Sequence, residues 1–400
     1  MELAIFERLL QPEGQTLLAE LAERDLRDAT LLGEIERLRS RYDPAFVRAA
    51  IETSQLRRRA VTKFAHAERM YFVREALEQS TAAPVANYRA RRLLGALGPD
   101  PHVLDVCCGI GGDALALASA GARVTAIDYD PLRAAMARAN AHALGFGERI
   151  TVICADATEI ALPPADALFC DPARRAGGKR LFDVEQYQPP LSWVLGWRDQ
   201  YKIVGVKLAP GIDYEALIQV DQSEIECISL DGDLKEAVLW CGSLADSKRR
   251  ASLLPEGLSL AAAATSPRIA QGEPGAYLYE PDPAVIRSHV VAELAQQIGA
   301  WQFDPTIAYL SSDHAIATPF ARVWPVIEWQ PFNLKKLRAR LRALDAGTVT
   351  VKKRGSPLDT DQLARQLRGD GPRELVVVLT LLQNKPIALI CDPPIQPSLG

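Results

Sequence analysis

No two of the seven cysteines stand in a C-x-x-C pair, and no low-complexity tract or internal repeat interrupts the 400 residues. No apolar run free of charge approaches the length of a membrane span. The cysteine spacing argues against zinc and against a disulfide framework. Cys107, Cys108, Cys154, Cys170, Cys227, Cys241 and Cys391 mostly sit in apolar strand-like runs, where cysteine acts as a small hydrophobe. A reduced, cytoplasmic setting without a bound metal or a membrane is the expectation. Glu2, Glu7, Glu13 and Glu20 within the first twenty residues predict no secretory leader.

With 48% hydrophobic and 24% charged residues, the chain can build the cores of two or three domains. Its net charge of −4 hides an uneven distribution. From Arg37 to Arg92 there are thirteen Lys/Arg against five Asp/Glu, and from Lys335 to Arg373 eleven against four. The rest is strongly acidic. Two basic segments flanking an acidic region suit a polyanion such as RNA, although solvated helix faces carry the same signature.

Residues 1–95 read as helices, with Leu9, Leu10, Leu17, Leu18 and Leu21 at helical spacing, followed by Ile35, Leu38, Phe46 and Val47. Over 96–246 the pattern alternates. Strands are predicted at 102–107, 123–128, 150–155, 166–170 and 202–208, with helices at 113–120 and 131–144. Such alternation predicts a parallel sheet with right-handed crossovers. Strands at 225–230 and 236–241, with no long helix between them, suit an antiparallel pair that finishes it. A connector with weak strands and a compact unit containing a helix at 283–298 fill 247–322. A further strand–helix arrangement fills 323–400.

Residues 103–113 read Val-Leu-Asp-Val-Cys-Cys-Gly-Ile-Gly-Gly-Asp. An apolar strand carrying Asp105 ends in Gly109, Gly111 and Gly112 and passes into an Ala/Leu-rich helix. Glycines at such a turn admit positive φ and let the backbone approach a ligand. Gly109-x-Gly111-x-x-Ala114 fits the loose form of a dinucleotide fingerprint. Asp105 and Asp113 bracket the glycines, however, and a pyrophosphate beside them would meet like charge in a low-dielectric cleft. S-adenosyl-L-methionine has no phosphate and carries a sulfonium and an ammonium group, so the acidic loop points to that cofactor. Asp105, Cys107, Gly109 and Gly111 are its expected contacts here.

Further carboxylates close the next strands. Asp128, nineteen residues after Gly109, is placed to accept from ribose hydroxyls, and Tyr129 either packs on adenine or takes a capping or core role. Asp130 before Pro131 reads as a helix cap. Asp156 would accept from the adenine amine, with the Ala157 amide facing a ring nitrogen. Asp171-Pro172-Ala173-Arg174-Arg175 ends the fourth strand, on the edge where open α/β sheets react. Asp171 is assigned to the cofactor site and to catalysis, hydrogen-bonding a target amine and helping remove its proton. Pro172 fixes the turn, and Arg174 and Arg175 would clamp a phosphate or stack on a base, with a structural role equally open to Arg175. Lys207, ending the fifth strand, either meets the substrate or pairs with a carboxylate.

Together, Phe72–Gln79, Asp105–Asp113, Asp171–Arg175, Lys207–Gly211, Tyr277–Pro281 and Val351–Gly355 resemble a bacterial family of class I S-adenosylmethionine-dependent methyltransferases. That family has a THUMP-like C-terminal domain and a catalytic part related to trimethylguanosine synthase. The resemblance implies an α/β architecture: a Rossmann-like seven-stranded methyltransferase domain, an N-terminal helical domain, and C-terminal ferredoxin-like and THUMP-like α+β modules. It implies methylation of a nucleobase in RNA, with Phe72, Arg174, Arg175, Lys207, Lys352, Lys353 and Arg354 as substrate contacts. One departure stands out. Amine-directed relatives carry Asp/Asn/Ser-Pro-Pro followed by an aromatic, whereas this chain has Asp-Pro-Ala-Arg, so a stacking ring would have to come from Tyr71, Phe72, Phe182 or Tyr187. The Asp-Pro-x-Arg shape is shared with uracil C5 methyltransferases, but residues 203–215 lack the cysteine nucleophile those enzymes need. Two other readings compete: a methyltransferase of a small molecule or protein, and a non-catalytic RNA-binding protein with a vestigial cofactor fold. The oligomeric state is not legible.

Overall fold

Pro44 opens the fourth helix and Asp43 caps it, accepting from the Phe46 amide at 3.0 Å. The helices of the N-terminal region are α1 (Leu3–Leu9), α2 (Pro12–Ala22), α3 (Asp28–Arg39), α4 (Pro44–Ala60), α5 (Arg74–Gln79) and α6 (Ala83–Leu97). Phe6, Leu9, Leu17, Leu21, Leu38 and Phe46 are fully buried among them. Leu10 belongs to the same apolar repeat but lies exposed, because the chain leaves α1 there to enter the Pro12 turn. A computed structural model describes residues 1–173, 175–176, 179–180, 183–214, 217 and 220–395. They form two units, Met1–Ile225 with Glu236–Asp246, and Glu226–Lys235 with Ser247 onward.

In the first unit β1 (His102–Val106), α7 (Gly112–Ser119), β2 (Arg123–Asp128), α8 (Pro131–Ala143), β3 (Ile150–Cys154) and β4 (Ala167–Cys170) follow in alternation. A short hairpin, β5 (Arg175–Ala176) and β6 (Lys179–Arg180), precedes α9 (Leu191–Leu195) and β7 (Ile203–Leu208). The last strands are β8 (Ser223–Leu230) and β9 (Asp233–Gly242), whose hairpin tip groups with the second unit. These seven strands lie in the order β3-β2-β1-β4-β7-β9-β8 within a sheet of nine, two more than the seven expected. The first five strands are parallel, and β9 runs antiparallel to β7. β1, β4 and β7 are buried almost end to end, as strands covered on both faces must be. The strand order reverses between β1 and β4, so Asp105 and Asp171 reach the carboxyl rim at the switch point.

In the second unit β10 (Arg249–Leu254) pairs antiparallel with β11 (Leu258–Ala261), and Ser252 Oγ donates to Glu226 Oε1 at 2.6 Å. There follow β12 (Tyr277–Pro281), α10 (Pro283–Arg287), α11 (Val291–Gln297), β13 (Leu310–Ser312) and β14 (Ala321–Pro331). The chain ends in α12 (Leu334–Ala343), β15 (Ala346–Lys353), α13 (Thr360–Leu367), β16 (Arg373–Leu382) and β17 (Lys385–Cys391). One sheet of order β13-β12-β14-β17-β16-β15 unites the strands from β12 onward. The single helix expected over 283–298 is two, because His289 adopts φ 56° and breaks the hydrogen-bond ladder between them. Among the described residues no helix is long and apolar enough to cross a membrane.

Candidate active site

The glycine turn after β1 is built on positive φ values: 62° at Cys107, 56° at Gly109 and 85° at Gly111. Gly111 caps α7, and a Cβ there would press on Ala137 at 3.3 Å. At Gly109 a Cβ would meet nothing within 4 Å, so the peptide faces open space and leaves a cradle for a ligand. Asp128 holds this turn from the adjacent strand. Its Oδ2 accepts from the Gly109 amide at 2.8 Å and its Oδ1 from the Asp130 amide at 3.0 Å. Burial lifts the Asp128 pKa, and the two amides work against that rise. Each oxygen keeps a lone pair for a hydroxyl.

Asp105 is fully buried, and among the described residues neither of its oxygens has a partner at full hydrogen-bond geometry. Its carboxyl is held well above the ordinary range, first by burial and then by the charges of Asp113 and Asp171. Arg89 opposes this, and the Ala114 amide lends some support. An orphaned buried carboxylate beside an open glycine cradle fits the ammonium of an amino-acid moiety, the group S-adenosylmethionine would place there.

Asp113 does not face the cradle as a free charge. It is ion-paired to Arg89 of α6, which also lies 3.0 Å from Glu236 of β9 and 4.6 Å from the centroid of the Phe169 ring. Burial works against the Arg89 charge, but Asp113, Glu236, Asp171 and Asp105 outweigh it and raise its pKa. Of the two carboxylates that bracket the glycines, only Asp105 is therefore left to repel a phosphate. Glu236 continues the network, with Thr81 Oγ1 at 3.4 Å from its Oε2. The Glu236 carboxyl is pushed up by burial, against the pull of Arg89 and Lys207. Lys207, only 3% exposed, donates to Thr81 Oγ1 at 2.7 Å and to Asp171 Oδ2 at 2.6 Å. Of the two roles open to Lys207, pairing with a carboxylate is the one seen. The Asp171 amide donates to the Val106 carbonyl at 3.2 Å, and its Oδ1 makes no hydrogen bond among the described residues.

The remaining candidates divide. Tyr129 is 61% exposed on the rim and free to pack on a ring, while Pro172 and Ala157 are buried. Asp156 Oδ1 accepts from the Thr158 amide at 2.9 Å and its hydroxyl at 2.7 Å, which leaves Oδ2 for a ligand. Asp130 caps α8 by accepting from the Leu132 and Arg133 amides. Cys107 is half-buried with its sulfur 3.8 Å from the Gln188 carbonyl oxygen. Phe72 corrects its expectation as a stacking ring: it is wholly buried against Phe64, with centroids 5.6 Å apart, and offers no face to a base. Tyr71 and Tyr187 are buried as well. Arg174 and Phe182 lie outside the described residues, as does the Arg175 side chain. In the second unit Lys352 is paired to Glu280 and lies 4.6 Å from the Trp324 ring centroid, Lys353 donates to the Leu358 carbonyl at 2.6 Å, and Arg354 lies 5.4 Å from the Tyr309 ring centroid. Among the described residues no cluster of His, Cys, Asp or Glu gathers that could hold a metal.

Sequence reasoning passed over Arg89, Thr81 and Glu236. One signal was available: Arg89 stands four residues from both Val85 and Leu93, inside the buried stripe of α6. A charge in such a stripe requires a partner. Arg92 repeats the device, pairing with the buried Glu224 of β8.

A family model described as a methyltransferase domain matches residues 103–173, one described as THUMP domain-like matches 321–393, and a domain of unknown function matches 2–60. An uncharacterized S-adenosylmethionine-dependent methyltransferase of Mycobacterium tuberculosis, found in strains CDC 1551 and H37Rv, is 40% identical over 349 residues, 82% of this chain and 91% of the relative. A 23S rRNA (uracil-C5)-methyltransferase of Acidithiobacillus ferrooxidans is 36% identical over 92 residues, 21% of each chain. A crystal structure from Porphyromonas gingivalis W83, assigned as a methyltransferase, superposes with a TM-score of 0.77 over 98% of this chain and 97% of its own at 21% identity, and so shares the fold.

Proposed function

The chain belongs to the family of S-adenosylmethionine-dependent methyltransferases that the mycobacterial proteins represent, and we propose that the group it methylates is a nucleobase in RNA, by in-line transfer. The cofactor, when bound, supplies an electrophilic methyl group. The residues of the chain do the rest. Asp105 and the Gly109–Gly111 backbone hold the amino-acid end, and Asp128, Tyr129 and Asp156 hold the nucleoside. Proximity and orientation provide most of the acceleration.

The observation that carries the reading is the disposition of Asp171. Lys207 pins Oδ2 at 2.6 Å, so Oδ1 is left aimed by a fixed carboxylate plane to accept from a substrate N–H. Accepting that proton or holding it orients the nucleophile's lone pair. RNA is favoured over a small molecule or protein by three supports. The THUMP-like segment is one, the local similarity to a protein named for 23S rRNA is another, and the two basic segments are the third. Incubating purified protein with methyl-labelled cofactor and separated RNA, protein and small-molecule fractions tests it. The label is expected in the RNA fraction; label confined to either other fraction would overturn the acceptor assigned here.

A further inference from the structure

We propose that the pocket between α4 and α5 is a phosphate subsite for the RNA substrate, seating a backbone phosphate beside the base that Asp171 engages. This rests on RNA being the substrate. The pocket encloses about 320 Å³, large enough for a nucleotide-sized group. Leu56 and Leu77 form its apolar floor, and Arg59, Lys63 and Arg74 line it with Glu78 as the one opposing charge.

The three cations lack the usual neutralisation. Arg59 and Arg74 are exposed and make no ion pair among the described residues. Lys63 Nζ donates to the carbonyls of Leu77 at 2.7 Å, Glu78 at 3.0 Å and Ser80 at 3.0 Å. Those three neutral acceptors use up its donors without cancelling its charge. Burial, and then repulsion from Lys207, push its pKa down against the weaker pull of Glu78. An anion in the pocket would relieve that repulsion, and the planar forks of two arginines suit phosphate oxygens.

The pocket is joined to the methyl-transfer rim through two consecutive residues. Lys63 grips the Ser80 carbonyl, and Lys207, which holds Asp171, grips the Thr81 hydroxyl at 2.7 Å. Ser80 and Thr81 are adjacent in the chain, so the lysine that lines the pocket and the lysine that holds Asp171 are fastened to one short backbone segment. Phosphate contacts of this kind position a nucleic acid without reading its sequence.

The test compares the full chain with Arg59→Gln/Arg74→Gln, using a fluorescein-labelled, random-sequence single-stranded RNA of about twenty nucleotides. Anisotropy titrations would run from about 50 to 200 mM salt. Losing one phosphate contact should flatten the slope of log affinity against log salt by about 0.7 and weaken binding about tenfold near 50 mM salt. Calorimetry with S-adenosylmethionine should give the wild-type affinity in the variant, which separates a substrate contact from a folding defect. An unchanged slope, or loss of cofactor binding in the variant, would overturn the subsite and leave the RNA reading standing. A wild-type chain with no RNA affinity would remove both.

Discussion

Lys207 Nζ sits 2.6 Å from Asp171 Oδ2 at the point where the strand order reverses, and the lysine is almost wholly buried while the carboxylate is open on one side. The pair is thus asymmetric. Among the described residues its buried cation has no other anion in hydrogen-bond contact and is shared only with the Thr81 hydroxyl. Its anion keeps one oxygen for a visitor. In the function proposed above such a lysine is a positioning group, fixing the plane and the charge of Asp171.

Replacing Lys207 should therefore release Asp171. Lys207→Met is expected to lower the methyl-transfer rate about 10²- to 10³-fold, within the range general acid–base groups supply. Cofactor affinity should stay within a few-fold of wild type. Thr81→Ala, which removes one neutral bond to the lysine, should cost far less. Single-turnover rates beside calorimetric affinities check both variants.

Asp105 is a burden on the ligand-free fold. Asp105→Asn is expected to raise the stability of the free protein by about 1–3 kcal/mol at neutral pH, the scale of an unpaired buried polar group, while weakening S-adenosylmethionine binding at least tenfold. The sign follows from its raised pKa: the folded state holds the proton more tightly than the unfolded chain, so wild-type stability falls as pH climbs from about 4 toward the raised value. The melting-temperature gap between variant and wild type should be small in acid and widen with pH. A constant gap would contradict the assignment.

Arg89 carries the opposite stability prediction. Arg89→Met leaves the buried Glu236 and the half-buried Asp113 unpaired, a change that costs about 3–5 kcal/mol for buried pairs. Adding Glu236→Gln should recover part of that loss. A thermal or urea double-mutant cycle measures the coupling, and purely additive losses would show that the pair is not an energetic unit.

Much of this was legible beforehand, for physical reasons that differ by region. The strand ends of the first unit were readable because buried parallel strands are continuous apolar runs, and their terminal carboxylates Asp105, Asp128, Asp156 and Asp171 interrupt them. Period and turn residues placed α8 at Pro131. The break at His289 was invisible, since a positive φ at a non-glycine residue leaves no mark in composition. The partner of Asp113 was equally hidden: it lies 24 residues earlier on another element, and only packing joins them. Phe72 misled because an aromatic next to a polar run reads alike whether it faces a base or Phe64.

Glycine substitutions separate backbone need from ligand need. Gly111→Ala combines positive φ with a 3.3 Å approach to Ala137, so it should cost stability by about 1–2 kcal/mol or more. Gly109→Ala meets no protein atom, so beyond the same φ penalty its effect should fall on cofactor affinity, where the new methyl enters the cradle. Equal affinity losses in the two variants would contradict the cradle.

The most direct test of the central claim is mass spectrometry of nucleosides hydrolysed from RNA after incubation with S-adenosylmethionine and either wild-type chain or Asp171→Asn. A base-methylated nucleoside should grow with time in the wild-type reaction and fall at least a hundredfold with the variant, both proteins being saturated with cofactor. No methylated nucleoside with the cofactor bound, or equal amounts from both proteins, would contradict it.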